Sequence, residues 1–192
     1  MKAKEIIKLA AFYLQLDGVL SRAEMSDNYT GEIVSDGTAD AADLERLLRC
    51  CNLVYSEIAA EVYPLEALQT VTAADGVIQN SVFSKRLIDV KRVEDANGNA
   101  LKFKAYPSHI KTDSGKATVR YTYMPDNLGL CGVLDYGDKI GARIMAYGTA
   151  AEYCVISSMF DEALTWERRF RDALAGVVRK KSDIKVPPRR WK

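Results

Sequence analysis

The chain has 192 residues, with 27 basic and 26 acidic side chains and a formal charge of +1; at roughly 100–200 residues per domain this is one domain, or one body with an inserted subdomain. Its 48% hydrophobic and 28% charged residues, with 12 Gly and 5 Pro, exclude a collagen, a coiled-coil rod and a wholly disordered chain. The charge balance does not by itself demand nucleic acid or an acidic surface as a partner.

Helical periodicity opens the chain. Ile6, Ile7, Leu9, Ala10, Tyr13 and Leu14 fall on one broad face and Lys4, Glu5 and Lys8 on the other, which predicts a helix over 2–16. Glu5, Lys8 and Gln15 interrupt the apolar stretch at helical spacing, so it does not read as a signal peptide. No stretch approaches the roughly 18 to 20 unbroken apolar residues of a spanning helix. The expectation is a soluble protein of a cytoplasm-like compartment, without a membrane partner. Residues 17–40 are rich in Gly, Ser, Asp and Asn, and read as a long loop, a candidate contact arm.

Asp40, with Asp43 at capping-box distance, opens a second predicted helix over 40–63. Leu44, Leu47, Leu48, Cys51, Val54, Tyr55, Ile58 and Val62 repeat along it at steps of three and four, a core stripe in which Cys51 and Tyr55 read as packing residues. Pro64 ends it, because the residue before a proline is steered away from helical geometry.

From 64 to 125 the period changes to two. Thr70–Thr72, Leu87–Val93, Leu101–Tyr106 and Ala117–Met124 are short β-branched and aromatic runs. Asp75-Gly76, Asn97-Gly98 and Asp113-Ser114-Gly115 separate them as turn signals. Asn97-Gly98 is the sharpest, since a tight hairpin needs positive φ at its centre. An antiparallel β-meander is expected.

Helical patterning returns over 138–156, where Ile140, Ile144, Tyr147, Ala151 and Val155 form a stripe flanked by small residues. It continues over 159–179, where Ala163, Leu164, Trp166, Phe170, Ala173, Leu174 and Val177 recur behind a Ser158-Met159-Phe160-Asp161 capping-box pattern. The short joint implies an antiparallel pair. The fold class expected is α+β: a helical bundle of about four helices from both chain ends, with an inserted antiparallel β-meander, in a single domain spanning 1–181.

Little in the sequence carries chemistry. His109 is the sole histidine, and the four cysteines lack Cys-x-x-Cys or Cys/His metal spacing. All four read as reduced, buried small hydrophobes, with a hydrolase centred on Cys51 or Cys131 with His109 as a further alternative. Gly137-Asp138-Lys139-Ile140-Gly141 lacks the continuation of a phosphate-binding loop or a dinucleotide fingerprint. No catalytic, metal or cofactor site is therefore assigned.

The C-terminus is different. Residues 179–192 carry Arg179, Lys180, Lys181, Lys185, Arg189, Arg190 and Lys192 against Asp183 alone, a net +6 that leaves −5 for the rest of the chain. Pro187-Pro188 favours an extended course and Trp191 places an amphipathic aromatic near the tip. Residues 182–192 read as a basic extended arm. Arg179, Lys180, Lys181, Lys185, Arg189, Arg190 and Trp191 are its candidate contacts, either with an acidic neighbouring subunit or with nucleic acid; Trp beside Arg is a frequent hot-spot pairing.

The order of parts resembles a known family. Asn52-Leu53-Val54-Tyr55-Ser56-Glu57-Ile58 ahead of Tyr63-Pro64-Leu65, a β insertion ending Tyr121-Thr122-Tyr123-Met124-Pro125, then Ala146-Tyr147-Gly148-Thr149-Ala150-Ala151-Glu152-Tyr153-Cys154 and Phe160-Asp161-Glu162-Ala163 with Trp166, is similar to small head–tail connector (adaptor or neck) proteins of tailed bacteriophages and prophages. The likeness covers most of the chain, although the 17–40 loop has no counterpart in it. The resemblance implies a structural virion protein and not an enzyme. It implies a homo-oligomeric ring that joins portal and tail proteins, makes non-specific contact with DNA, and resides in the virion neck after assembly in the bacterial cytoplasm. The alternative is a nucleic-acid-binding accessory protein that uses its basic arm as a clamp.

Overall fold

The apolar face of the first segment makes α1 (Ala3–Tyr13), with Ile6, Ile7, Ala10 and Ala11 buried. The computed structural model describes residues 1–25, 37–113, 115–136 and 139–178. They form a mixed α/β fold with five helices and two small antiparallel sheets.

Part of the expected 17–40 loop is helical. α2 (Asp17–Met25) buries Val19 and Ala23, which lie four residues apart and so share a face. That short stripe is masked in the sequence by the Gly and Ser around it. Residues 26–36 lie outside the described residues.

α3 (Ala39–Glu57) buries the predicted stripe, including Leu44, Leu47, Cys51, Val54 and Tyr55. Its cap is Thr38 rather than Asp40: the Thr38 hydroxyl accepts the Ala41 N–H at 3.3 Å, and Asp40 sits in the first turn, where a carboxylate suits the positive helix end. The last turn widens into a π-helical turn, Ile58–Val62, before the chain turns extended ahead of Pro64.

Six strands follow: β1 (Leu65–Ala73), β2 (Val77–Gln79), β3 (Arg86–Glu94), β4 (Lys104–Ala105), β5 (His109–Lys111) and β6 (Gly115–Met124). They are antiparallel as expected, but their order is β1-β6-β3 in one sheet and β2-β5-β4 in the other, which is not a meander. β6 is central, pairing Ala67 with Tyr121 on one side and Val90 with Tyr121 on the other. Ala117, Val119 and Tyr121 on it are almost wholly buried, and a strand this apolar is kept from an exposed edge.

The Asn97-Gly98 turn exists, with Gly98 at φ +84° and the Asp95 carboxylate accepting the N–H groups of Asn97 and Asn99, each at 2.8 Å. Pairing beyond it stops at a single Glu94–Ala100 bridge and a bond from the Leu101 N–H to the Val93 carbonyl. The predicted 101–106 strand shrinks to β4, which joins β5 instead.

α4 (Ala142–Ile156) and α5 (Phe160–Val178) complete the fold. α4 starts at 142 instead of 138, behind Gly141; residues 137 and 138 lie outside the described residues. It packs on α1, α3 and α5. At Gly148 a Cβ would stand 2.8 Å from Val54 Cγ1 and 3.1 Å from the Phe170 ring, so glycine there lets α3 and α5 close on α4.

The segment between β6 and α4 is strapped to α3. The Asn52 side chain both donates to the Leu128 carbonyl (3.0 Å) and accepts its N–H (2.8 Å). The Asp135 N–H donates to the Tyr55 hydroxyl and the Tyr123 hydroxyl donates to the Asp135 carboxylate, each at 2.9 Å. Sheet and helices are thereby tied through one small polar network. Among the described residues no helix is long and apolar enough to cross a membrane.

Candidate functional site

The seven predicted contact residues, Arg179, Lys180, Lys181, Lys185, Arg189, Arg190 and Trp191, lie outside the described residues. The described surface carries a distinct feature that sequence reading did not anticipate: a groove of about 740 Å³ where α1 and α4 end and α5 begins, walled by Tyr13, Tyr153, Met159, Asp161, Glu162 and Trp166 among others.

Two helix ends of the same construction build it. After α1, Gln15 takes φ +57°, while Leu16 N–H bonds to the Ala11 carbonyl (2.9 Å) and Gln15 N–H to that of Phe12 (3.3 Å). After α4, Ser158 takes φ +61°, while Met159 N–H bonds to the Cys154 carbonyl (2.8 Å) and Ser158 N–H to that of Val155 (3.1 Å). Both are Schellman motifs, with a non-glycine residue in the left-handed position usually held by Gly. Ser158 therefore finishes α4; the capping-box reading that gave it to α5 is corrected.

Three rings stack against one another beside the groove. Tyr13 and Trp166 lie 5.2 Å apart between centroids, Tyr13 and Tyr147 5.4 Å, and Tyr147 and Trp166 5.8 Å, with interplanar angles of 21°, 30° and 27°. Guanidinium groups flank the stack: Arg169 sits 4.7 Å from the Trp166 ring and Arg143 5.8 Å from the Tyr147 ring. Arg143 Nε also donates to the Tyr147 hydroxyl at 2.7 Å. Burial, then the Tyr147 phenol, push the Tyr13 hydroxyl above its ordinary pKa, with Arg143 opposing. The spacings Arg143-x₃-Tyr147 and Trp166-x₂-Arg169 are those of neighbours on a helix surface, and are the signal by which the sequence could have disclosed this cluster.

Negative groups gather at the groove, set against the positive N-terminal end of α5 and Arg169. α1 and α4 both end there with no basic residue in the last turn, so two negative helix ends meet at the site. Asp161 and Glu162 stand in the first turn of α5, and Arg169 is the one cation among the lining residues. Phe12 and Phe160, neighbours in sequence of lining residues, are 66% and 63% exposed, and Leu164 is 70% exposed. A surface with these properties suits a segment that is both cationic and apolar.

The remaining chemistry-bearing residues point elsewhere. Cys50, Cys51 and Cys154 are buried and Cys131 is exposed, so the reading of all four as packing residues fails at Cys131. Burial pushes the Cys50 and Cys51 thiols up to about 12 and Cys154 to about 11, the opposite of what a nucleophilic thiol requires. His109 stacks on Tyr106 at 4.7 Å and its Nδ1 lies 3.1 Å from the Ser108 hydroxyl. Among the described residues no group of three or more His, Cys, Asp or Glu is placed to hold a metal ion. Comparison with protein-family models finds no match, and comparison with curated proteins finds none either.

Proposed function

We propose that this chain is a structural subunit of a tailed-phage or prophage head–tail connector, which assembles as a ring with copies of itself between portal and tail proteins and performs no catalysis. The sequence resemblance motivates the reading. The observation that carries it is the exposed apolar corner where α4 meets α5: Val155, Ile156, Phe160 and Leu164 are all solvent-facing within ten residues. Exposed apolar side chains gathered at one helix joint suit an interaction site.

A ring built on a rotation axis needs two different complementary surfaces on each subunit, not one self-complementary face. The helical corner is one; the basic 182–192 arm of the finer architecture, a helical body carrying a β insertion, is its counterpart. The β2-β5-β4 sheet faces the DNA path in this reading. Lys104 and Lys111 are directly opposite across β4 and β5, an arrangement of like charges that is unfavourable without an anion nearby. Lys104 also lies 5.2 Å from the Tyr106 ring, which stacks on His109. That same patch favours the second reading, a nucleic-acid-binding accessory protein.

Sedimentation of the full chain and of a chain ending at 181 tests the proposal. The full chain is expected as a large closed species, and the shortened chain as a monomer with an unchanged circular-dichroism spectrum. Salt-sensitive binding of the monomer to duplex DNA, with no assembly by either chain, would favour the second reading.

A further inference from the structure

We infer that the groove between the C-terminal ends of α1 and α4 and the first turns of α5 is the receptor for the Pro187–Trp191 segment of a neighbouring copy of this chain. The inference rests on the ring reading above and adds to it the seat of the arm.

Four independent features of the groove match that segment. Its walls are aromatic, with Tyr13, Tyr153 and Trp166, and a proline-containing extended segment binds aromatic-lined grooves at low entropic cost because its conformation is already restricted. Its charge is complementary: two helix C-termini without a basic residue in their last turns, with Asp161 and Glu162, suit a segment whose adjacent Arg189 and Arg190 belong to a net +6 tail. Arg169 and, beside the groove, Arg143 are the exceptions, and they are already engaged over Trp166 and Tyr147. Exposed apolar rings adjoin its lining residues in sequence, Phe12 beside Tyr13 and Phe160 beside Met159 and Asp161, and would give Trp191 a surface on which to leave water. Its shape is fixed in advance by two Schellman turns, so little ordering accompanies binding.

Reach favours a neighbour over the chain's own tail. α5 ends at Val178, 17 residues beyond Asp161, about 26 Å along the helix axis at 1.5 Å per residue. The nine residues 179–187 span at most about 30 Å when fully extended. A tail folding back along its own helix would consume nearly all of that before making any turn.

Disulfide trapping between two forms of the full chain tests this. Both carry Cys131→Ser, which removes the exposed thiol; one carries Thr165→Cys in the groove, and a larger, tagged form carries Lys192→Cys in the tail. Ser157→Cys serves as a second groove position should Thr165→Cys fold poorly, and Leu53→Cys on the exposed face of α3 is the control. The expected result is a disulfide-linked pair at either groove position and none at the control. Trp191→Ala in the tail-labelled form should weaken capture about 30-fold, as loss of a hot-spot tryptophan does. Closed rings seen by imaging without any groove cross-link would overturn the inference and leave the ring reading standing. Neither rings nor cross-links would overturn both. A cross-link that forms only when both cysteines are on one chain would overturn docking between copies.

Discussion

Ser158 and Gln15 each hold a backbone conformation that an L side chain adopts at a cost of roughly 1 kcal/mol or more. Ser158→Gly should raise stability by about 0.5–1 kcal/mol, since relief of the strained φ outweighs the added freedom of glycine in the unfolded chain. Thermal unfolding checks it: a rise of about 2 °C is expected for a chain of this size, and an unchanged or lower midpoint contradicts the assignment of Ser158 to the end of α4. The cysteines give a second prediction. Only Cys131 is exposed, and the raised pKa values of the other three keep them protonated below about pH 10. At pH 8 the native protein should be alkylated at one thiol per chain by mass spectrometry and at four after unfolding. Two or more rapid modifications in the native state contradict the packing. The burial of Cys51 and Tyr55 was legible from their place in a helical stripe. The left-handed residues were not, because Gln and Ser carry none of the local signature that glycine would have provided.

At the level of elements, a close helix–helix fit is Gly148 of α4 between Val54 and Phe170. Val54 is β-branched and stiff, and a ring has little room to yield. Gly148→Ala should therefore destabilise the protein by about 1–3 kcal/mol, although alanine is the better helix former by about 1 kcal/mol. Chemical denaturation measures this, and a stabilised variant would mean that α3 and α5 do not close on α4 as described. The helices were readable in advance because periodicity reports a face directly: most of the 44–58 stripe is the buried face of α3 and the turn after it, and Ala163, Phe170 and Leu174 are buried on α5, while Leu164 and Val177 of the same predicted stripe are exposed. Strand order was not readable. Val119 and Tyr121 identify β6 as a strand, but which strands flank it is decided by long-range burial of the sheet face, and the Asn97-Gly98 turn identifies a reversal without guaranteeing the ladder beyond it. α2 escaped notice because two buried residues, Val19 and Ala23, are too few for a period to stand out.

For the whole molecule, charge is divided unevenly along the chain: seven basic residues and one acidic residue beyond 178 against a net −5 before it. Such a division steers association between copies and makes it sensitive to ionic strength. The basic arm was evident from composition, whereas its proposed seat was not: Tyr13, Tyr147 and Trp166 are far apart in sequence and each reads locally as a core residue. The groove exists only once α1, α4 and α5 are packed.

Native mass spectrometry of the full chain over a range of concentrations tests the connector reading most directly. The account predicts one discrete, many-copy species corresponding to a closed ring, weakened by added salt because the arm contributes charge-assisted contacts. A species that stops at a dimer, or a monomer at every concentration, would contradict it.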